Sequence, residues 1–450
     1  MRRMALDTYD LGQSRTVERL RLACVTTIAI TTILLLFCWA NTIDQQGLTT
    51  FAVGGDFGAT LIGARIIRDG NGTLLYDPAT QQATQARLLT PYVDRPDWFP
   101  YNHTPLEALI IAPLIALPYP VSYLLWLAGS LLAVSLAIRL LWTTFPLPKD
   151  VRWLALGAVA AYPFLHSGLW LGQNTPFVLL GLCGLVVALH RERFWLAGVA
   201  LALVALKPQL LPILLLLLVF QRRWQTLWMA FGTLSVVTFA MMPWLGIAWP
   251  LQYARLLVQI ANWSQGAAIN TAIMLNWRGF SVDLVGGWSP WLTTLLEISL
   301  SVATVAWLGW CWWRARHAQR GTPLVWGMAI IVALLIAPHT NPHELTLLIV
   351  PFWLVAATVP LPLLGWRWLV LAGVVYSLRW LALLPGYPAT TVLPSVTVLA
   401  IFLFSLDTMG TRQWVHASGR CRRHASTTVV VSERANCATS TNATSARIAT

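Results

Sequence analysis

Asp56 is an acid set among small residues, in Gly54-Gly55-Asp56-Phe57, on the first long connection between apolar runs. A carboxylate at the edge of a bilayer can take a proton from a hydroxyl, because partial desolvation raises its basicity. The two glycines permit a tight entry, so Asp56 also fits as the cap of a helix beginning near Phe57. Lys207, followed by Pro208, ends a long apolar run. A cation there suits a phosphate, and snorkelling to the headgroups fits the same spacing. His339 and His343 lie four apart, the spacing of a two-histidine metal pair. Pro342 falls between them and Glu344 is the one further ligand at hand, so no metal is expected. Hydrogen bonding to a phosphate, or orienting a base, suits these histidines better. Arg278 reads as an external cation or a plain surface arginine, and Gln173-Asn174 either cap a turn or reach a site. Glu297 and Arg379 interrupt apolar runs, where ionisable groups are costly and are paired or cavity-facing.

The elements that must position these residues are membrane helices. Hydrophobic residues make up 57% of the 450 positions and charged ones only 10%, with a mean hydropathy of +0.64. That is the composition of an all-α, polytopic membrane protein. Leu22 to Ala40 can span and is not followed by a small-residue cleavage site, so no removable signal is expected. Twelve candidate spans follow from the apolar runs: Leu22–Ala40, Pro120–Trp142, Trp153–Trp170, Phe177–His190, Phe194–Leu206, Leu210–Phe220, Thr226–Gly246, Trp288–Trp313, Leu324–Pro338, Glu344–Thr358, Trp366–Leu384 and Val392–Leu406. Several fall short of the roughly 20 residues a straight crossing needs, notably the pair flanking Lys207-Pro208. A kink in one long helix at that point would change the count by one.

Charge placement decides the orientation. With the N-terminus inside, 22 of the 30 lysines and arginines fall on the cytoplasmic side and 8 elsewhere, as the positive-inside rule requires. The net charge of +13 is therefore distributed as topology demands, and nucleic acid is not an expected partner. Residues 1–21 then form a cytoplasmic N-terminus, 22–410 the membrane domain, and 411–450 a basic cytoplasmic tail whose polar composition reads as disordered. Two external segments, 41–119 and 247–287, stand out by length. Each contains an amphipathic stretch, Gly58–Asp69 and Leu251–Trp263, expected to lie along the interface. Leu106–Leu117 is apolar yet too short to span, and reads as surface-lying or re-entrant. Many of the 25 tryptophans sit at span ends, where they anchor at headgroup level. The six cysteines form no CxxC pair, so neither a disulfide framework nor a metal knuckle is expected. All the distinctive polar residues fall on one face, the outer one.

Four stretches, taken in order, resemble glycosyltransferase family 87, polyprenol-phosphate-dependent enzymes of the GT-C fold that include mycobacterial mannosyltransferases. Asp56-Phe57, Ala64-Arg65, Gly70 and Leu75-Tyr76-Asp77 are similar to the family's first-loop pattern. Tyr101 to Pro105, Ala112-Pro113-Leu114 and Leu117-Pro118-Tyr119 resemble its "YPP…PL..LPY" segment. Gly172-Gln173-Asn174, Ala197-Gly198 and Leu206-Lys207-Pro208 follow its "GQxN…AG…lKp", and Pro338 to His343 its late "P…H". The double proline is replaced here by Asn102-His103-Thr104-Pro105, which adds His103 as a polar group. The resemblance implies inverting, metal-independent transfer of a sugar from a lipid monophosphate to a glycan or glycolipid outside a bacterial plasma membrane, with no cofactor. It makes Asp56 the base, and sets Lys207, Arg278, His339 and His343 toward the donor phosphate. Tyr101, His103, Gln173, Asn174 and Glu344 fall to the sugar and acceptor side. A transporter or flippase is the alternative, but such proteins place their sites near the midplane and often show matching halves, and no internal repeat is seen. An undecaprenyl-linked polymer ligase shares the donor logic but favours a much larger external loop.

Overall fold

The computed structural model describes residues 24–37, 54–89, 100–149, 151–261, 274–316 and 321–358, with the single positions 18, 22, 40 and 271. The expected spans Trp366–Leu384 and Val392–Leu406, Arg379 and the 411–450 tail lie outside the described residues, as do parts of both long loops. Every regular element among the described residues is helical. In chain order these are α1 (Cys24–Phe37), α2 (Gly55–Arg68), α3 (Pro78–Leu89), α4 (Pro105–Ile111), α5 (Tyr119–Thr144), α6 (Arg152–Ala160), α7 (Pro163–Leu171) and α8 (Thr175–His190). There follow α9 (Phe194–Val204), α10 (Leu211–Phe220), α11 (Trp224–Leu245), α12 (Trp249–Ala261), α13 (Trp277–Val285), α14 (Pro290–Ala315), α15 (Gly321–Ile336) and α16 (Ile349–Thr358).

Proline sets many of the starts. A proline in the first turn opens α4, α5, α7, α8 and α14, where its missing N–H costs nothing and its fixed φ suits a helix. Four described helical stretches are long and apolar enough to cross a membrane: α5, α6–α7 taken together, α11 and α14. α5, at 26 residues, extends about 39 Å. Of the other expected spans, six are shorter apolar helices and two lie outside the described residues, so four full-length crossings stand among the described residues. The expected crossing Trp153–Trp170 bends at Ala161-Tyr162, ahead of Pro163. Lys207-Pro208 is a true break: α9 ends at Val204, a 3-10 turn covers Pro208–Leu210, and α10 starts afresh.

Two hydrophobic cores result. The larger joins α5, α7–α10, α15 and α16 around α8, whose residues are buried along most of its length. The smaller gathers α2, Tyr76, Tyr101, α4, the first turns of α5, the end of α11, and Trp249 and Leu256 of α12. Gly58–Asp69 falls in α2, which buries eleven of its 14 residues against its neighbours and so packs on more than one apolar stripe. Its small residues, Gly58, Ala59, Gly63 and Ala64, let those neighbours approach on all sides; a Cβ on Gly63 would come within 2.9 Å of the Tyr101 ring. The seam between the two cores holds the polar residues described next.

Candidate active site

Asp56 lies in the first turn of α2 and is not its cap; Gly54 holds the cap position in the left-handed region, at φ 80°. Its carboxylate is thereby left to other partners. Gln173 Nε2 donates a short hydrogen bond to Asp56 Oδ2. This pairing joins residues 117 apart in sequence, and α5 holds both ends of it. Tyr119 donates to the carbonyl of Gly54 at 2.8 Å, and Trp126 Nε1 donates to that of Gly172 at 2.8 Å. Between them Tyr123 donates to the Leu169 carbonyl at 3.0 Å. The three rings, at spacings of four and three on one helix face, surround Phe57 with centroids 5.9–6.1 Å away. Gly54 N also donates to Trp170 O at 2.8 Å, tying the two turns directly. Gly172 has φ 71°, and a Cβ there would lie 2.6 Å from Phe57 Cβ. Glycine is required on both counts.

The other end of the Gln173 amide accepts from Lys207 Nζ at 3.5 Å. Lys207, placed by the break between α9 and α10, is buried and donates to Glu344 Oε1 at 2.8 Å. The remaining Glu344 oxygen accepts from the backbone N–H of Asn341 at 2.7 Å, at the start of the 3-10 turn Pro342–Leu348. Gln209 joins this end, with Nε2 at 3.3 Å from His339 Nε2 and 3.4 Å from Glu344 Oε1. His339 precedes Pro342 in a loop while His343 begins the turn, so the two histidines do not share one helix face. His343 is buried. Arg278, on α13, acts electrostatically on both His339 and Glu297.

Asn174, next to Gln173, turns to the opposite side. Its Nδ2 donates to Glu107 Oε2 at 2.7 Å, and Thr60 Oγ1 donates to Glu107 Oε1 at 3.1 Å. His103 Nδ1 lies 2.8 Å from Glu107 Oε2, completing a buried carboxylate with three side-chain partners. Tyr76 reaches this group by donating to His103 O at 3.0 Å. Tyr101 is fully buried, with its hydroxyl on the carbonyl of Thr104 at 2.5 Å, so it packs beneath His103 and presents no face to a sugar. Glu107 was not singled out in the sequence. The signal was there, since it is a lone acid in the apolar stretch Leu106–Leu117 and such groups are costly unless they serve a purpose. The aromatic stripe of α5 was equally hidden, because Tyr and Trp near a span end pass for headgroup anchors.

The charges are uneven. Burial pushes the Asp56 carboxyl above the usual aspartate range, while the Gln173 hydrogen bond and then the charges of His103 and Lys207 pull it partly back. Burial would raise Glu107 too, but His103, Asn174 and Thr60 together bring it below its ordinary value. For His103, burial works against the charged form and the Glu107 carboxylate overcomes it, so its pKa rises. Burial pushes that of His339 down. One consecutive pair, Gln173-Asn174, therefore links two ion pairs, Lys207–Glu344 and His103–Glu107, with Asp56 between them and bonded to neither cation. An uncommitted carboxylate in a partly dry seam, flanked by two positive groups, can accept a proton while an anion departs nearby.

The model of glycosyltransferase family 87 matches residues 101–338, more than half of the chain. The chain belongs to glycosyltransferase family 87. The matched span of this family 87 glycosyltransferase contains His103, Glu107, Gln173, Asn174, Lys207 and Arg278; Asp56 and Glu344 lie on either side of it. A polyprenol-phosphate-mannose-dependent alpha-(1-2)-phosphatidylinositol pentamannoside mannosyltransferase of Mycolicibacterium smegmatis is 27% identical over 305 residues, 62% of this chain and 68% of that protein. No solved structure matches the family 87 enzyme described here.

Proposed function

We propose that this glycosyltransferase moves a sugar, mannose or a similar hexose or pentose, from a polyprenyl phosphate to a hydroxyl of a glycan or glycolipid at the outer face of a bacterial plasma membrane. The observation that carries this is Asp56: a carboxylate of raised basicity, held by a neutral amide and in no salt bridge among the described residues, on a segment read as external. The mannosyltransferase relative, named as polyprenol-phosphate-mannose-dependent and for a phosphatidylinositol pentamannoside, supports the donor class and a glycolipid acceptor.

In this reading Asp56 takes the proton of the acceptor hydroxyl as that oxygen attacks the anomeric carbon. The bond from the anomeric carbon to the phosphate oxygen breaks with its electron pair, leaving polyprenyl phosphate and an inverted centre. The departing charge needs cations. Lys207, Arg278, His339 and His343 are assigned to that side, and Lys207 shares its charge with Glu344 while it serves. Gln173 orients the base, and Asn174 stands toward the acceptor. The GT-C architecture, cytoplasmic termini and external 41–119 and 247–287 segments belong to the same proposal.

Asp56→Asn preserves shape and removes the base. Assayed in membranes supplied with polyprenyl-phosphate mannose and a mannosylated glycolipid, it is expected to lose transfer by about 10²–10⁴-fold while still inserting and binding donor. Wild-type transfer by this variant sinks Asp56 as the base.

A further inference from the structure

The sequence pointed to Lys207 as the cation of the site, yet the geometry distributes the work differently. Lys207 spends its charge on Glu344 at 2.8 Å and reaches Asp56 only through the Gln173 amide. His103 is joined to the turn that carries Asp56 through Glu107 and Thr60. It is not bonded to Asp56: its Nδ1 is committed to Glu107, which is itself pinned by Asn174 and Thr60. Both Glu107 oxygens already accept from side chains, Oε1 from Thr60 and Oε2 from Asn174 and His103, whereas Asp56 has the one side-chain partner Gln173 among the described residues. Thr60 ties the arrangement to α2, since its Oγ1 also bonds the carbonyl of Asp56 at 3.2 Å.

We propose that the Glu107–His103 pair is a positioning device for the base, holding an imidazolium close to Asp56 without a salt bridge so that the carboxylate stays both ionised and free to accept a proton. This rests on the reading of Asp56 as base. A direct ion pair would occupy the carboxylate and orient it away from an incoming hydroxyl. A charge held one step away, anchored by a second carboxylate, supplies the field without the bond. The groups facing His103 are Glu107 from its own segment, Asp56 from α2 and Lys207 from the α9–α10 break, with the ring of Tyr101 at 5.8 Å; its charge is also felt by His339 and His343. Facing Asp56 are His103, Lys207 and Glu107, with Gln173 bonded to it and Tyr119 sensing its charge.

The readout is the pH profile of kcat/KM, whose acid limb reports the free enzyme's base. The field of His103 lowers the Asp56 pKa, so its removal raises that pKa. In His103→Gln the acid limb is therefore expected about one pH unit higher than in wild type, the scale of a nearby opposite charge. The loss relative to wild type is then largest at low pH and shrinks as pH rises. His103→Lys keeps a cation opposite Glu107 and is expected to return the limb toward its original place. Thermal unfolding in detergent selects the folded variants; if His103→Gln does not fold, His103→Asn and His103→Ser carry the same comparison. An acid limb that does not move overturns the proposal. So does a loss of equal factor at every pH, which identifies His103 as a group that touches substrate. Asp56→Asn run alongside separates the two ideas: if it stays active the base assignment falls, and if it is dead while the His103 limb is unmoved only the present proposal falls.

Discussion

Lys207 and Glu344 show how far a residue's partner can change its meaning. From sequence, Lys207→Ala is expected to weaken use of the donor while the fold persists. In the structure both members of the pair are buried, with side chains 8% and 3% exposed, at 2.8 Å. Removing one leaves the other buried without compensation, which costs about 3–5 kcal/mol, whereas replacing both by neutral groups of similar size is often close to neutral. Lys207→Met alone is thus expected to lower the thermal midpoint in detergent steeply, and the Lys207→Met, Glu344→Gln double variant to recover most of that loss without recovering transfer. A double variant as unstable as the single would show that the pair does not act as a unit. Asp56, Lys207, His343 and Gln173-Asn174 were legible in the sequence because each is a polar interruption of apolar text. Their pairings were not, since 137 residues separate Lys207 from Glu344 and no local pattern records such a distance. Asp56 shows the same limit: a cap by its neighbours, it proves to be a first-turn residue with Gly54 in the cap position.

Among the elements, short helices matter more than long ones for the site. α7, α9 and the 3-10 turns at Pro208–Leu210 and Pro342–Leu348 each end or begin at the seam, and their breaks deliver Gln173, Lys207 and Glu344 there. The sequence exposed these breaks through proline and glycine. On α2, the polar residues Arg65, Arg68 and Asp69 suggested an interfacial face, and the small residues, whose meaning was not read, mark close packing against its neighbours. The junction of α7 with α8 gives a sharp test. Gly172→Ala combines a left-handed φ with a Cβ 2.6 Å from that of Phe57. A residue held in so sparsely populated a conformation costs about 1–3 kcal/mol before any clash. The expected outcome is a lower thermal midpoint together with loss of transfer, because Gln173 shifts relative to Asp56. Gly70→Ala, also at positive φ but with open space around it, is the control: it should cost stability and leave the donor-dependent activity measurable.

At the scale of the whole molecule there are two cores, the larger built on α8 and the smaller on α2, with the polar residues of the candidate site at their boundary. The apolar character and all-helical class were plain from composition. The number of crossings was not, because helices such as α9 and α10 are too short to be counted by length and hydropathy alone. Orientation rests on the arginine distribution, and single cysteines test it. With an impermeant thiol reagent on intact cells, a cysteine at Asp77 or Thr80 is expected to label and one at Gln221, beside Arg222-Arg223, is not. The reverse pattern would invert the molecule and move the site to the cytoplasm.

The ion pair of Lys207 with Glu344 has a consequence for biogenesis. A chain lengthening at about 5–20 residues per second completes the 137 residues between them only on the order of ten seconds after Lys207 has been made. Throughout that interval the break between α9 and α10 carries a cation whose anion does not yet exist. The turn Pro342–Leu348 thus secures Lys207 late in synthesis, and defects at Glu344 are expected to surface first as shortened cellular lifetime, ahead of any measurement of turnover.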